Sequence, residues 1–182
     1  MTSCTQGPAR AVPETPAGLV RFNSLPVAEA AAALREVCSC AAWVRILLAR
    51  RPYATVGDLL GAQDAATAAL SAADLAEAVA GHPPIGRPEP GDALAAREQR
   101  GMAGASERLR REMLELGLRY QDTFGHVFLI CATGRSGEEM RDALRERIGN
   151  PPRREREVVR SELGKINRIR LTRLAEAGEE RP

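Results

Sequence analysis

From Pro152 to Ala177 the chain reads PRREREVVRSELGKINRIRLTRLAEA, with no proline after the first position and a single glycine. At about 100° per residue, Val159, Leu163, Ile166 and Leu174 fall within one narrow sector of a helical wheel. A long amphipathic helix is therefore predicted over 152–177, with one apolar seam to bury against other elements. Arg170 falls in the middle of that seam, whereas Arg168, two places earlier, points to the opposite side and to solvent. A guanidinium aimed into an apolar seam needs a partner, because an unpaired buried charge is strongly destabilising. A carboxylate or a group of carbonyls is expected to meet Arg170, unless its stem simply carries the charge past its neighbours to water.

Working outward, the rest of the chain repeats the helical period. Met140, Leu144 and Ile148 follow a Ser136-x-x-Glu139 capping pattern and run to a stop at GNPP. Leu109, Met113, Leu116 and Tyr120 form a stripe that Ser106 can cap. Two short helices are expected in TVGDLLGAQDAATAAL and SAADLAEAVAGH, the second opened by Ser71-x-x-Asp74 and closed by Gly81 and Pro83. Between Phe22 and Pro52, the positions Leu34, Val37, Ala41, Val44 and Leu48 recur at three and four and predict helix faces turned to a core. FGHVFLICATG, 124–134, is apolar and β-branched but has no visible partner strand, so an extended connector is expected. The segment from Gly86 to Gly104 is a loop holding one helical piece, ALAAREQ. No internal repeat is visible.

With 182 residues, the chain is long enough to bury a core without disulfide or metal staples. Aromatics make up only 3% of it, while Ala, Leu, Arg and Glu dominate, a composition that favours helices. An all-α, single-domain helical bundle is predicted. Residues 1–18, rich in Pro, Gly, Thr and Ala without periodicity, are expected to form a disordered tail. The helical domain would span 19–178, and 179–182 a short C-terminal tail.

A net charge of +2, left by 26 basic and 24 acidic side chains, lacks the field of a dedicated nucleic-acid binder. The last helix is locally basic, but its acids are interspersed as on a solvated face with helical ion pairs. No stretch approaches the ~18 apolar residues of a membrane span, and the first residues lack a signal-peptide core. A cytoplasmic protein without nucleic-acid or membrane partners is expected. Among the four cysteines, Cys38 and Cys40 make a C-x-C pair, but two histidines in the whole chain leave few further ligands and no zinc-type spacing. Buried, reduced thiols are the simpler expectation, and no metal site is assigned.

One of those two histidines stands in an odd place. EAVAGHPPIGRPEPGD, from Glu77 to Asp92, puts His82 where a helix stops and two prolines begin. Taken alone, His82 is a helix C-terminal residue favoured by the macrodipole, and Glu98 in REQRG is surface charge. His126, beside the glycine of FG, reads as a loop or surface residue.

Taken together, the motifs resemble the OHCU decarboxylases. The resemblance is carried by FNSL at Phe22, CSCAAW ending at Trp43, RRPY at Arg50, HPPIG at His82, EQ at Glu98, Tyr120 followed by FG, FLICATGRS from Phe128, and IRL at Ile169. Each is weak alone, and their order is specific. The resemblance implies a helical, cofactor-independent and commonly dimeric enzyme. Its substrate would be 2-oxo-4-hydroxy-4-carboxy-5-ureidoimidazoline, converted to (S)-allantoin in urate degradation. It further implies His82 and Glu98 as catalytic residues, and Pro83, Gln99, Phe128, Ile130 and Arg170 as substrate-binding residues. His82 would act as general base on the 4-hydroxyl, Glu98 would orient His82 or the ureido N–H groups, and Arg170 would hold a ring carbonyl or the developing anionic oxygen.

Three positions depart from the family pattern. Ala95 replaces a serine three residues before Glu-Gln, Gly117 replaces an asparagine before the tyrosine, and Pro84 stands where Arg or Asp is common. These bear on substrate contacts and leave open a decarboxylase for another ureido heterocycle. A non-catalytic helical module using the basic last helix is the remaining alternative.

Overall fold

A computed structural model describes residues 15–87 and 91–177. Its helices are α1 (Ala17–Ser24), α2 (Val27–Val37), α3 (Ala41–Ala49), α4 (Val56–Ala69), α5 (Ala72–Ala80), α6 (Ala93–Glu98), α7 (Glu107–Phe124), α8 (Gly137–Arg147) and α9 (Pro152–Glu176). A single 3-10 turn, Arg100–Met102, follows α6. No strand occurs among the described residues, and no helix there is long and apolar enough to cross a membrane. Of the stretch 124–134, Phe124 ends α7 and residues 127–132 form the expected connector, followed by a turn at 133–134.

Local chemistry sets the helix starts. Thr55, Ser71 and Ser136 each accept from the N3 backbone while Asp58, Asp74 and Glu139 reach back, three complete capping boxes. Asp92 and Ser106 cap α6 and α7 with single side-chain bonds. Gly125, at φ 78°, ends α7 in the left-handed region that glycine tolerates best.

Two expectations need correction. The stretch from Phe22 to Pro52 is three helices, because Pro26 cannot continue α1 and because Cys38 adopts an extended backbone. Ala41 consequently lies exposed at the start of α3, and Leu48 is only half-buried. Of the expected tail 1–18, residues 1–14 lie outside the described residues, as do 179–182, but Ala17 and Gly18 already belong to α1. That helix begins early because it packs on the end of α9. A Cβ at Gly18 would sit 2.5 Å from the carbonyl oxygen of Leu174, so only glycine lets the two backbones approach.

The core has two lobes. The larger gathers α1–α5 and α9 around Leu19, Phe22, Trp43, Leu47, Leu59 and Leu163, with α9 packed mainly on α4 and α1. The smaller joins α7 to α8 around Met113, Tyr120, Met140 and Leu144. The connector runs along their junction, with Leu129 in the larger lobe and Phe128, Ile130 and Ala132 in the smaller.

FNSL and RRPY form a clasp inside the larger lobe. Asn23 donates from Nδ2 to the Tyr53 carbonyl and accepts from the Tyr53 N–H, while one Arg51 nitrogen donates to the carbonyls of Phe22, Asn23 and Leu25.

Candidate active site

The C-terminal ends of α2, α5 and α6 converge on the C-terminal half of α9, at Ile166, Ile169 and Arg170, with the connector closing the remaining side. His82 follows Gly81 at the end of α5, and its Nδ1 lies 2.9 Å from the carbonyl oxygen of Ala78. A carbonyl can only accept, so Nδ1 carries the proton and the lone pair of the neutral ring is on Nε2. Nε2 is buried without a hydrogen-bond partner. Burial, and next the charge of Arg170, lower the pKa of His82 from its ordinary 6.5, against the raising influence of Ala78 and Glu98. The ring is thus held neutral near pH 7 with its base nitrogen free.

Arg170 has both kinds of partner that its place in the apolar seam required. Its Nε and Nη2 donate to the two oxygens of Glu98, each at 2.8 Å, and Nη1 donates at 2.9 Å to Val37, the last carbonyl of α2. The ion pair is nearly dry, with side chains 11% and 13% exposed. Arg173 stands 3.9 Å from the same carboxylate. Because Arg170 occupies both Glu98 oxygens, the group that orients His82 here is the Ala78 carbonyl. Arg168, as expected, is exposed and pairs with Asp64.

Gln99 caps α6 and turns its amide onto the 82–86 segment. Its oxygen accepts from the Gly86 N–H at 2.7 Å, and its Nε2 makes a longer contact of 3.4 Å to the Pro84 carbonyl. His82, Pro83, Glu98, Gln99, Phe128, Ile130 and Arg170, the residues expected at the site, all line one small cavity of about 30 Å3. That volume admits one or two waters. Ala95 is in its wall, so the departure from the family serine falls at the site itself. His126 lies outside the cavity, in the loop after α7 as expected, half-buried and packed against Tyr120 and Phe124.

The sequence reading missed what holds the connector. Arg147 donates from Nη1 to the Leu129 carbonyl at 2.8 Å and from Nε to Glu155 at 2.9 Å, and its guanidinium lies 4.5 Å over the Phe128 ring. Tyr120 and Asn150 also donate to Glu155, which is 1% exposed. Glu162 accepts from the Cys131 N–H at 2.8 Å. The wheel that singled out Arg170 could have found both acids, since Glu155 lies only about 40° from Val159 on the same face.

Among the described residues one group has donor atoms close enough to suggest a metal: Cys40, Asp74 and Glu77, within 4.8 Å of one another. Its carboxylates are already committed, Asp74 to the Ser71 capping box and Glu77 to the N–H of Ala41. Most basic residues of α9 are similarly engaged, Arg160 with the carbonyls of Thr67 and Leu70, Lys165 with Glu162, and Arg153 and Arg154 with Glu157.

Residues 23–172 match the family model described as OHCU decarboxylase. The chain belongs to the OHCU decarboxylase family. A uric acid degradation bifunctional protein of Arabidopsis thaliana is 34% identical over 112 residues, covering 58% of this chain and 35% of that protein. A 2-oxo-4-hydroxy-4-carboxy-5-ureidoimidazoline decarboxylase of Amia calva is 39% identical over 69 residues, 38% of this chain and 37% of its own. The aligned stretches thus span little more than a third of either relative. A solved OHCU decarboxylase, crystallised in the presence of (S)-allantoin, superimposes with a TM-score of 0.70 at 27% identity, covering 79% of this chain and 96% of that one. An (S)-allantoin synthase shares the fold, with a TM-score of 0.66 at 20% identity over 86% of this chain and 53% of the other.

Proposed function

We propose that this OHCU decarboxylase family member converts 2-oxo-4-hydroxy-4-carboxy-5-ureidoimidazoline to (S)-allantoin and CO2 without a cofactor, with His82 as its general base. The observation that carries this is the buried, unpartnered Nε2 of His82, in a cavity it shares with the Glu98–Arg170 pair. With His82 neutral, two guanidiniums against one carboxylate leave a net positive site suited to a monoanion.

The substrate bears carboxylate and hydroxyl on one carbon, next to a ring C=N bond. As the C–C bond to the carboxylate breaks, its electron pair forms a C=C bond, and the imine nitrogen takes the displaced pair and a proton from water, the one proton consumed overall. His82 Nε2 removes the hydroxyl proton, the oxygen becomes the product carbonyl, and a proton delivered to one face of the ureido-bearing carbon sets the S configuration. Arg170 stabilises the oxygen on which negative charge grows, as preorganised donors do, and Glu98 holds Arg170 in place. Pro83, Gln99, Phe128 and Ile130 shape the space for the ring and its ureido arm. The substrate's own imine supplies the electron sink that a prosthetic group provides elsewhere.

Ala95 in the cavity wall favours one second reading, a related ureido heterocycle with a group where the family serine would stand. We further propose that the chain works as a cytoplasmic homodimer without nucleic-acid partners, in keeping with the engagement of most α9 arginines by carboxylates and carbonyls. The deciding experiment follows circular dichroism on substrate generated in situ from urate. Wild type should give a fast signal of one enantiomer, and folded His82→Ala only the slow, racemic decay of uncatalysed substrate. Equal rate and optical purity in the two would refute the assignment.

A further inference from the structure

The reactive cavity has a much larger neighbour. Between α7 and the turn at 84–87 lies a cavity of about 290 Å3 whose lining also includes Ile85 and Phe128. Those two residues line both spaces. The rim carries three guanidiniums, of Arg87, Arg110 and Arg111, against one carboxylate, Glu107. Arg110 is held there by the carbonyls of Ala105 and Ala103, at 3.0 and 3.3 Å. Arg87 and Arg111 are exposed, and among the described residues neither guanidinium has a protein partner.

Gly117 supplies an independent observation. It lies inside α7, where glycine is the least favourable residue after proline, and neither a turn nor a close packing contact requires it. A Cβ there would meet nothing within 4 Å, and a side chain would project into the cavity. The glycine weakens the helix and keeps this space open.

We infer that this cavity is a vestibule: it binds the anionic ureidoimidazoline with its carboxylate at the Arg87–Arg110–Arg111 rim, before the ring passes between Ile85 and Phe128 to His82. The inference rests on the decarboxylase function proposed above. The volumes support the order of events, since the inner cavity as it stands admits one or two waters and the outer one a small heterocycle. Passage requires Ile85 to move. It rides on a turn whose Gly86, at φ 79°, is held by the Gln99 side chain, so release of that one amide frees the turn and returns Gln99 to the incoming ureido group.

The test compares steady-state kinetics of wild type, Gly117→Leu and the double variant Arg87→Gln/Arg111→Gln, at low and high ionic strength, on substrate generated in situ. Leucine at 117 fills the vestibule and suits the helix, so Gly117→Leu should raise KM about tenfold with a much smaller change in kcat. Removing two rim charges should lower kcat/KM about tenfold at low salt, the lower end of steering effects, and flatten its salt dependence. Wild-type KM in Gly117→Leu together with wild-type salt dependence in the arginine variant would overturn the vestibule alone. An inert wild type would overturn the decarboxylase function and this proposal with it. Should Gly117→Leu fail to fold, the salt dependence of the arginine variant decides.

Discussion

Arg170 and Glu98, 72 residues apart in the chain, meet side-on through two parallel hydrogen bonds of 2.8 Å. The contact joins α9 to the loop-borne α6, and the third bond of Arg170, to Val37, adds α2. One guanidinium thus ties three elements together by polar contacts, around the cavity that His82 also lines.

Removing one partner of this pair leaves a charge in a nearly dry setting. Glu98→Ala strands Arg170 beside Arg173, and Arg170→Met strands the carboxylate, so each should cost about 3–5 kcal/mol of unfolding free energy. Glu98→Ala/Arg170→Met leaves neither charge uncompensated and should lose clearly less than the sum. Urea denaturation of the four proteins measures this coupling, and additive losses would mean the pair is not a unit.

His82 gives a pH signature in both activity and stability. Its folded pKa is depressed below the ordinary 6.5 by burial and then by Arg170, so kcat/KM should hold through neutrality and fall on an acid limb lying below pH 6.5. For stability, the unfolded chain binds the proton more readily than the folded one. The contribution is therefore fully present above 6.5 and lost as pH falls from 6.5 towards the depressed folded value. His82→Asn should remove that acid-side loss and abolish most activity, about 10² to 10⁴ fold. A variant whose stability still tracked wild type from pH 7 to 5 would show that His82 titrates unperturbed.

The sequence announced the helices through their caps and periods, and Arg170 through its angle on the wheel. His82 was conspicuous as one of two histidines, yet its useful property, which nitrogen is free, follows from an Ala78 carbonyl that no pattern marks. Glu98 looked like surface charge because α6 is too short to show a periodic face. The break at Cys38–Cys40 escaped for a different reason: apolar spacing runs through it undisturbed, and the extended backbone comes from tertiary packing. Ser39 there stands so close to α5 that a Cβ on Gly81 would collide with its hydroxyl.

Two glycines in helices should respond oppositely to the same substitution. Gly18→Ala sets a methyl against the carbonyls of Leu174 and Ala175, at 2.5 and 2.6 Å, and must push α1 off α9. A loss of about 1–3 kcal/mol is expected, as for overpacked cores. Gly61, inside α4, has nothing within 4 Å of its missing Cβ, so Gly61→Ala should gain about 0.4–1 kcal/mol by restricting the unfolded chain. Thermal unfolding checks both, and a neutral Gly18→Ala would contradict the close α1–α9 approach.

Arg147 holds the site from outside it. Its guanidinium bridges Glu155 and the Leu129 carbonyl while lying over Phe128, so it fixes the connector that forms one wall of the reactive cavity. Burial, and then Glu155, push the Tyr120 phenol up, which keeps it a donor to that carboxylate. Arg147→Met leaves the Leu129 carbonyl unpaired and Glu155 with neutral donors only, at an expected cost of about 3–5 kcal/mol. Arg147→Lys restores a charge, but a single ammonium lacks the planar fork that reaches carboxylate and carbonyl together. It should therefore recover part of the stability while KM for the ureidoimidazoline stays raised, because Phe128 and Ile130 lose their fixed position. The comparison is made at a temperature where all variants are folded. If Arg147→Lys regained wild-type KM along with stability, charge alone would suffice and the fork would have no part in positioning the wall.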